Sequence, residues 1–133
     1  MTIEDIKRLK FKYCFHLDST NTSEFVDLFT EDAKFDVPNY GSGEGKGAIR
    51  EFITEIKSRD LELMAHMASN PLIEIDDNEA TGKWYYIVII EDDEGNVSWG
   101  QGRWEDTYRR VDDDWKISSL IAIRQFTREI PKR

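Results

Sequence analysis

The sequence predicts an α+β fold, with amino-terminal helices lying over a curved antiparallel sheet. Three observations carry this. Apolar residues recur at three- and four-residue spacing in the first part of the chain. Beyond Leu61 the period falls to two. Turn-rich breaks, with no room for crossover helices, separate most of the later segments.

Ile3, Ile6, Leu9, Tyr13 and Leu17 share one helical face while Glu4, Asp5, Lys7, Arg8 and Lys12 fill the others, which predicts a first helix over residues 3–17. The polar run from Asp18 to Thr22 ends it. Thr22 or Ser23 is placed to cap a short second helix carrying Phe25, Val26, Leu28 and Phe29, so the two form a helical hairpin. Lys34 to Val37 reads as a short strand before Pro38, and glycines at 41, 43, 45 and 47 predict a flexible loop. A third helix over residues 46–58 buries Ile49, Phe52, Ile53 and Ile56. Strands then follow near 61–68, 71–76, 79–91, 97–111 and 115–127, with breaks at Asp76–Asn78, Glu91–Asn96 and Asp112–Asp114. The run from Trp84 to Ile90 is apolar on both alternating faces. One face can pack on the helices; the other needs a cover, which predicts a homodimer through the sheet face.

At 133 residues the chain is sized for one domain, 1–133, and its 39% of hydrophobic residues suffices for a core. Twenty-seven acidic against 18 basic residues give a formal charge of -9, which repels phosphate backbones and anionic headgroups. Nucleic acid and membrane are therefore not expected partners. The opening MTIEDIKRLK is charged where a signal peptide would be apolar, and no stretch has bilayer-spanning length, so a cytoplasmic location is expected. Cys14 is the only cysteine, which excludes an internal disulfide and a Cys-rich zinc site and predicts a buried, inert thiol. The loop from Asn39 to Gly47 lacks the phosphate-cradle pattern and reads as a mobile pocket rim. Neither His16 nor His66 stands at metal-ligand spacing, and no Ser-His-Asp or nucleotide pattern occurs, so no metal and no cofactor are expected.

Lys12-Tyr-Cys-Phe-His-Leu-Asp18, followed by Glu24-Phe-Val-Asp-Leu-Phe-Thr-Glu-Asp-Ala33, resembles the opening of the SnoaL-like branch of the nuclear-transport-factor-2-like superfamily. Gly47–Phe52 is similar to that family's third helix, His66 with Asn70 to its histidine-bearing strand, and Ala80–Tyr85 to the long strand after it. Gly102–Tyr108 and Asp114–Ile117 resemble its last hairpin, so the likeness runs through nearly the whole chain. The resemblance implies a cone: three helices packed into a strongly bent, mostly antiparallel mixed sheet that encloses an apolar pocket. Members include polyketide cyclases, scytalone and bile-acid dehydratases, ketosteroid isomerases, epoxide hydrolases and proteins without any chemistry, and fold alone does not choose among them.

Against that background three residues stand out. His66 alternates with Glu62, Met64 and Ala68 on a largely apolar strand. An imidazole changes charge near neutral pH and can take and return a proton, although a hydrogen-bonded core histidine has the same pattern. The resemblance implies the former, because dehydratase members carry a pocket histidine on this strand. Asp18 ends the first helix, where a carboxylate is unfavourable beside the exposed carbonyls; it is either an Asx turn or, as in dehydratase-like relatives, the partner of that histidine. Tyr13, on the buried face, keeps its phenol proton and is either a core aromatic or a donor to a developing enolate. Asp106, with Trp104 and Tyr108 on either side of it on one strand face, and Met64 beside His66 are four candidate substrate contacts: Asp106, Trp104, Tyr108 and Met64. His16 reads as a structural or surface residue. No second histidine follows His66, a departure from two-histidine dehydratases. The expected function is a cofactor-free lyase or isomerase on a small, apolar, oxygenated ring compound of polyketide or steroid type. The alternatives are a small-molecule-binding protein without turnover and a dimeric interaction module.

Overall fold

A computed structural model describes residues 2–132. Helix α1 (Ile3–Asp18) buries Ile6, Leu9, Lys10, Tyr13, Cys14 and Leu17, a stripe at three- and four-residue spacing with a lysine inside it. Its first turn is closed by Asp5, whose carboxylate accepts a 2.7 Å hydrogen bond from the Thr2 backbone N–H. Helix α2 (Thr22–Asp27) starts after Asn21, one residue earlier than expected; Leu28 caps its carboxyl end, and Phe29 already belongs to strand β1 (Phe29–Val37).

The segment read as a flexible glycine loop is instead strand β2 (Gly41–Glu44), antiparallel to β1 with Phe35 opposite Gly43 and Val37 opposite Gly41. The glycine at 43 explains the pairing: a Cβ there would stand 2.9 Å from the Ala48 Cβ and 3.1 Å from the Phe35 ring. Helix α3 (Lys46–Ser58) follows with Ile49, Phe52, Ile53 and Ile56 buried as expected.

Residues 61–76 do not form two strands but one, β3 (Leu63–Asp76), interrupted by a bulge between Ser69 and Leu72. Pro71 has no N–H to give to the ladder. The chain absorbs this by placing Asn70 in the left-handed region (φ 55°) and resuming register with Leu72 opposite Lys83. Strands β4 (Glu79–Glu91), β5 (Val97–Val111) and β6 (Asp114–Ile130) complete a six-stranded sheet in the order β2-β1-β6-β5-β4-β3. The β1–β6 pair is parallel and the others are antiparallel, so the sheet is mixed. It does not close, because β2 and β3 are edges. Bulges in the β5–β6 ladder at Gln101/Gly102 and Thr107/Tyr108 add to its bend.

The concave face carries the core: Trp84 and Tyr86 from β4, Trp104 and Tyr108 from β5, and Ile117 and Leu120 from β6 are all buried. The alternation read for Trp84–Ile90 separates over its first four residues, with Tyr85 and Ile87 exposed on the convex side beside Met67, while Val88, Ile89 and Ile90 are all half-buried. Among the described residues no helix is long and apolar enough to cross a membrane.

Candidate active site

The last residue of α1 meets the middle of β3. Asp18 Oδ1 lies 2.7 Å from His66 Nδ1, and the His66 backbone N–H donates to Oδ2 at 2.9 Å and Oδ1 at 3.1 Å. A carboxylate at a helix carboxyl end is disfavoured by the local dipole. Here N–H donors from another element offset that cost, and Asp18 also fixes α1 to β3. An ionised carboxylate only accepts, so its contact makes Nδ1 the protonated ring nitrogen and leaves the lone pair on Nε2.

The His66 ring lines a cavity of about 60 Å³ between the helices and the concave sheet face. Tyr13, Tyr40, Met64, Tyr86, Trp104 and Arg124 share its wall, and the rest is apolar, including Leu17, Val37, Phe52, Ile56 and Val88. Trp104 organises this wall: its ring stacks with Tyr86 at 4.7 Å and with His66 at 6.1 Å, and the Tyr13 ring meets it edge-on at 5.5 Å. Burial raises the Tyr13 phenol well above its ordinary range, and the neighbouring Cys14, Asp106, Tyr86 and Asp18 push the same way. The hydroxyl thus keeps its proton and serves as a donor.

Of the residues singled out from the sequence, Tyr13, Met64, His66 and Trp104 share one cavity, and Asp18 stands behind His66. Asp106 and Tyr108 are not part of its wall. Both are buried: the Asp106 carboxylate lies 2.9 Å from Lys10 Nζ of α1 and accepts from the Tyr108 hydroxyl at 2.7 Å, while that hydroxyl accepts from Trp84 Nε1 at 3.0 Å and Tyr108 lines a separate, larger concavity. The ammonium also sits over the rings of Trp104 and Tyr13, 3.8 and 4.3 Å from their centroids. Burial lowers the Lys10 pKa and Asp106 opposes this. The acid between two aromatics is therefore the counter-ion of a buried lysine and props Trp104 from below. Cys14, next to this pair, has its thiol pushed up to about 12, first by burial and against the pull of Lys10. His16 is half-buried and is not among the residues that line the cavity.

Sequence reasoning missed Lys10, Tyr86 and Arg124. Lys10 lies in the apolar stripe of α1, a detectable signal; Tyr86 and Arg124 become pocket residues only through the register of β4, β5 and β6. A larger concavity of about 650 Å³ is lined by Asp32, Glu44, Glu74, Asp76, Glu79 and Arg109, with none of Tyr13, Asp18 or His66 among its walls. It is an open, charged groove, unlike the smaller, mostly apolar cavity that His66 lines. Among the described residues no group of three or more His, Cys, Asp or Glu is placed to hold a metal ion.

Comparison with known proteins bears on the family and the fold. The sequence profile of the SnoaL-like domain matches residues 2–121. Among solved structures, a candidate scytalone dehydratase from Novosphingobium aromaticivorans is 25% identical over 98% of this chain and 89% of its own, with a TM-score of 0.87. The hexachlorocyclohexane dehydrochlorinase LinA-type3 of Novosphingobium barchaimii shares the fold at 16% identity, over 96% and 88% of the two chains, with a TM-score of 0.84. A further Novosphingobium aromaticivorans protein, described as NTF2-like with a cystatin-like fold, is 22% identical over 92% and 80%, with a TM-score of 0.74. No protein of curated function matches.

Proposed function

We propose that this chain, which belongs to the SnoaL-like domain family, is a cofactor-free lyase or isomerase that works by acid/base chemistry on a small, apolar, oxygenated ring compound of polyketide or steroid type. The observation that carries the reading is the 2.7 Å Asp18–His66 contact, with the histidine ring lining an apolar cavity. His66 Nε2 takes a proton from a carbon beside a carbonyl, and the Asp18 carboxylate stabilises the imidazolium that forms. The Tyr13 hydroxyl donates to the enolate oxygen in a site where a fixed donor is worth more than in water. Return of the proton from Nε2 to a β-hydroxyl releases water, which is dehydration; its return to another carbon is isomerisation. Trp104 supplies the flat wall against which a ring stacks. Among the relatives, the dehydratase and dehydrochlorinase descriptions both denote eliminations, which supports the lyase side.

A cavity of about 60 Å³ is smaller than a six-carbon ring requires, since a cavity that holds benzene is about 150 Å³. The walls able to yield are the Met64 side chain and Tyr40, on the turn between β1 and β2. A panel of β-hydroxy cyclic ketones tests the reading: the protein should eliminate water from at least one of them, followed by the ultraviolet absorbance of the conjugated product. Rates equal to buffer across the panel would refute it.

The same proposal includes a cytoplasmic homodimer. Its support is the convex sheet face, where Leu63, Met67, Tyr85, Ile87 and Ile121 are 39 to 48% exposed and Leu72 is 71% exposed. Light scattering should give twice the 15.6 kDa chain mass, and Ile87→Lys should shift the population to monomer. A monomeric wild type at micromolar concentration would contradict this.

A further inference from the structure

Tyr86 on β4, Gly102 on β5 and Arg124 on β6 stand opposite one another across three adjacent strands. Gly102 has no side chain where its neighbours project into the cavity. A Cβ at this position would stand 2.7 Å from the Tyr86 ring and would run into the carbonyl oxygen of Ile123. The glycine is therefore a notch in the concave face over which the tyrosine ring and the arginine side chain approach each other. Burial raises the Tyr86 phenol, while the adjacent Arg124 guanidinium pulls it the other way, as expected of neighbours.

Arg124 is half-buried and lines the same cavity as His66. Arg59, Arg103, Arg109 and Arg110 each pair with a carboxylate elsewhere. Like the exposed Arg8, Arg50 and Arg128, Arg124 pairs with none among the described residues, but of these four it is the one that is half-buried and lines the cavity. The guanidinium stands in an apolar wall, half-buried and, among the described residues, with no carboxylate beside it, and its planar fork matches a carboxylate. Its five N–H donors stand with the Tyr86 hydroxyl, and the Tyr40 hydroxyl shares this end of a mostly apolar wall.

We infer that the substrate of this cavity carries a carboxylate, held by the Arg124 guanidinium and the Tyr86 hydroxyl, and that this grip decides which end of the molecule faces His66. The inference rests on the acid/base reading for its meaning, but the binding it describes does not depend on His66. Strand β6 is three strands from β3, about 14 Å along the sheet at ~4.8 Å per strand. Arg124 and His66 thus enter one cavity from different strands of the concave face, so that a carboxylate held by the first leaves Nε2 of the second free.

Calorimetric titration with two matched pairs, acetate against acetamide and benzoate against benzamide, at constant ionic strength, tests this without a known substrate. Acetate suits the present volume, and benzoate asks whether the wall yields. The wild type should prefer at least one carboxylate over its amide by about tenfold or more, the scale of a charge-assisted pair. Arg124→Gln should abolish the preference, Arg124→Lys should keep part of it, and Tyr86→Phe should reduce it a few-fold. His66→Ala should leave it in place, which separates this inference from the acid/base reading: loss of turnover without loss of preference leaves the carboxylate grip standing. No preference in the wild type, no carboxylate binding below about 10 mM, a preference that survives in Arg124→Gln, or one lost in His66→Ala would each overturn it. Circular dichroism on each variant verifies folding, and should Arg124→Gln not fold, Arg124→Lys and Tyr86→Phe carry the test.

Discussion

Asp106→Leu should lower stability by about 3 to 5 kcal/mol, the usual cost of leaving one member of a buried ion pair alone. For a domain of this size that is a fall in melting temperature of about 10 to 20 °C. The reason is the surroundings of Lys10. Its side chain is fully buried, its ammonium lies 2.9 Å from Asp106, and its other neighbours are the aromatic faces of Trp104 and Tyr13. Without Asp106 the ammonium has π-faces but no counter-ion, and the Tyr108 hydroxyl loses its 2.7 Å acceptor. Lys10→Met alone should cost less, because the remaining carboxylate can take up a proton. The double variant Lys10→Met/Asp106→Leu should be more stable than Asp106→Leu, since replacing both members removes the uncompensated charge. Denaturant titration of the three variants measures this directly. An Asp106→Leu protein within about 1 kcal/mol of the wild type would mean that the lysine is not held as a buried cation.

His66→Ala should lower turnover by roughly a hundredfold or more, the scale for losing a positioned acid/base group. Tyr13→Phe should lower it by a similar factor if its hydroxyl meets the enolate oxygen. Tyr13→Phe should be nearly neutral for stability, because the ring keeps its contacts with Phe25, Phe29 and Trp104. Asp18→Asn differs. The carboxylate accepts from both the ring and the backbone N–H of His66, so the variant should lose turnover and also about 1 to 2 kcal/mol of stability. Asparagine keeps one oxygen for the backbone donor but presents an N–H₂ group that can turn the imidazole to the wrong tautomer. Activity must therefore be referred to folded molecules. Large stability losses with unchanged turnover per folded molecule would make the trio structural.

Where local pattern carries the information, the fold was legible. Helix α3 and strands β4 and β5 begin and end at the residues expected, because charged turns or helix breakers flank strongly periodic segments. Gly41–Glu44 was not legible: four residues without apolar alternation look like a loop, and their pairing depends on Phe35 and Ala48 closing over Gly43. Pro71 suggested the end of a strand, whereas a left-handed Asn70 lets β3 continue. The site divides the same way. Asp18 and His66 are 48 residues apart, and no periodicity brings them together; the family resemblance did. Asp106 was rightly noticed as an acid on an aromatic face, but its partner Lys10 had to be seen on the buried stripe of α1 before the pair could be separated from the pocket. Arg124 depends on strand register, which sequence alone does not specify across three strands.

Central to this account is proton abstraction by His66 in the cavity it lines. The most direct measurement is exchange of α-hydrogens for deuterium in a panel of cyclic aryl ketones dissolved in D₂O, followed by proton NMR and referred to folded protein. The wild type should accelerate exchange in at least one ketone above buffer, and His66→Ala should remove roughly 99% of that acceleration. Equal exchange rates for the wild type and His66→Ala would contradict the account.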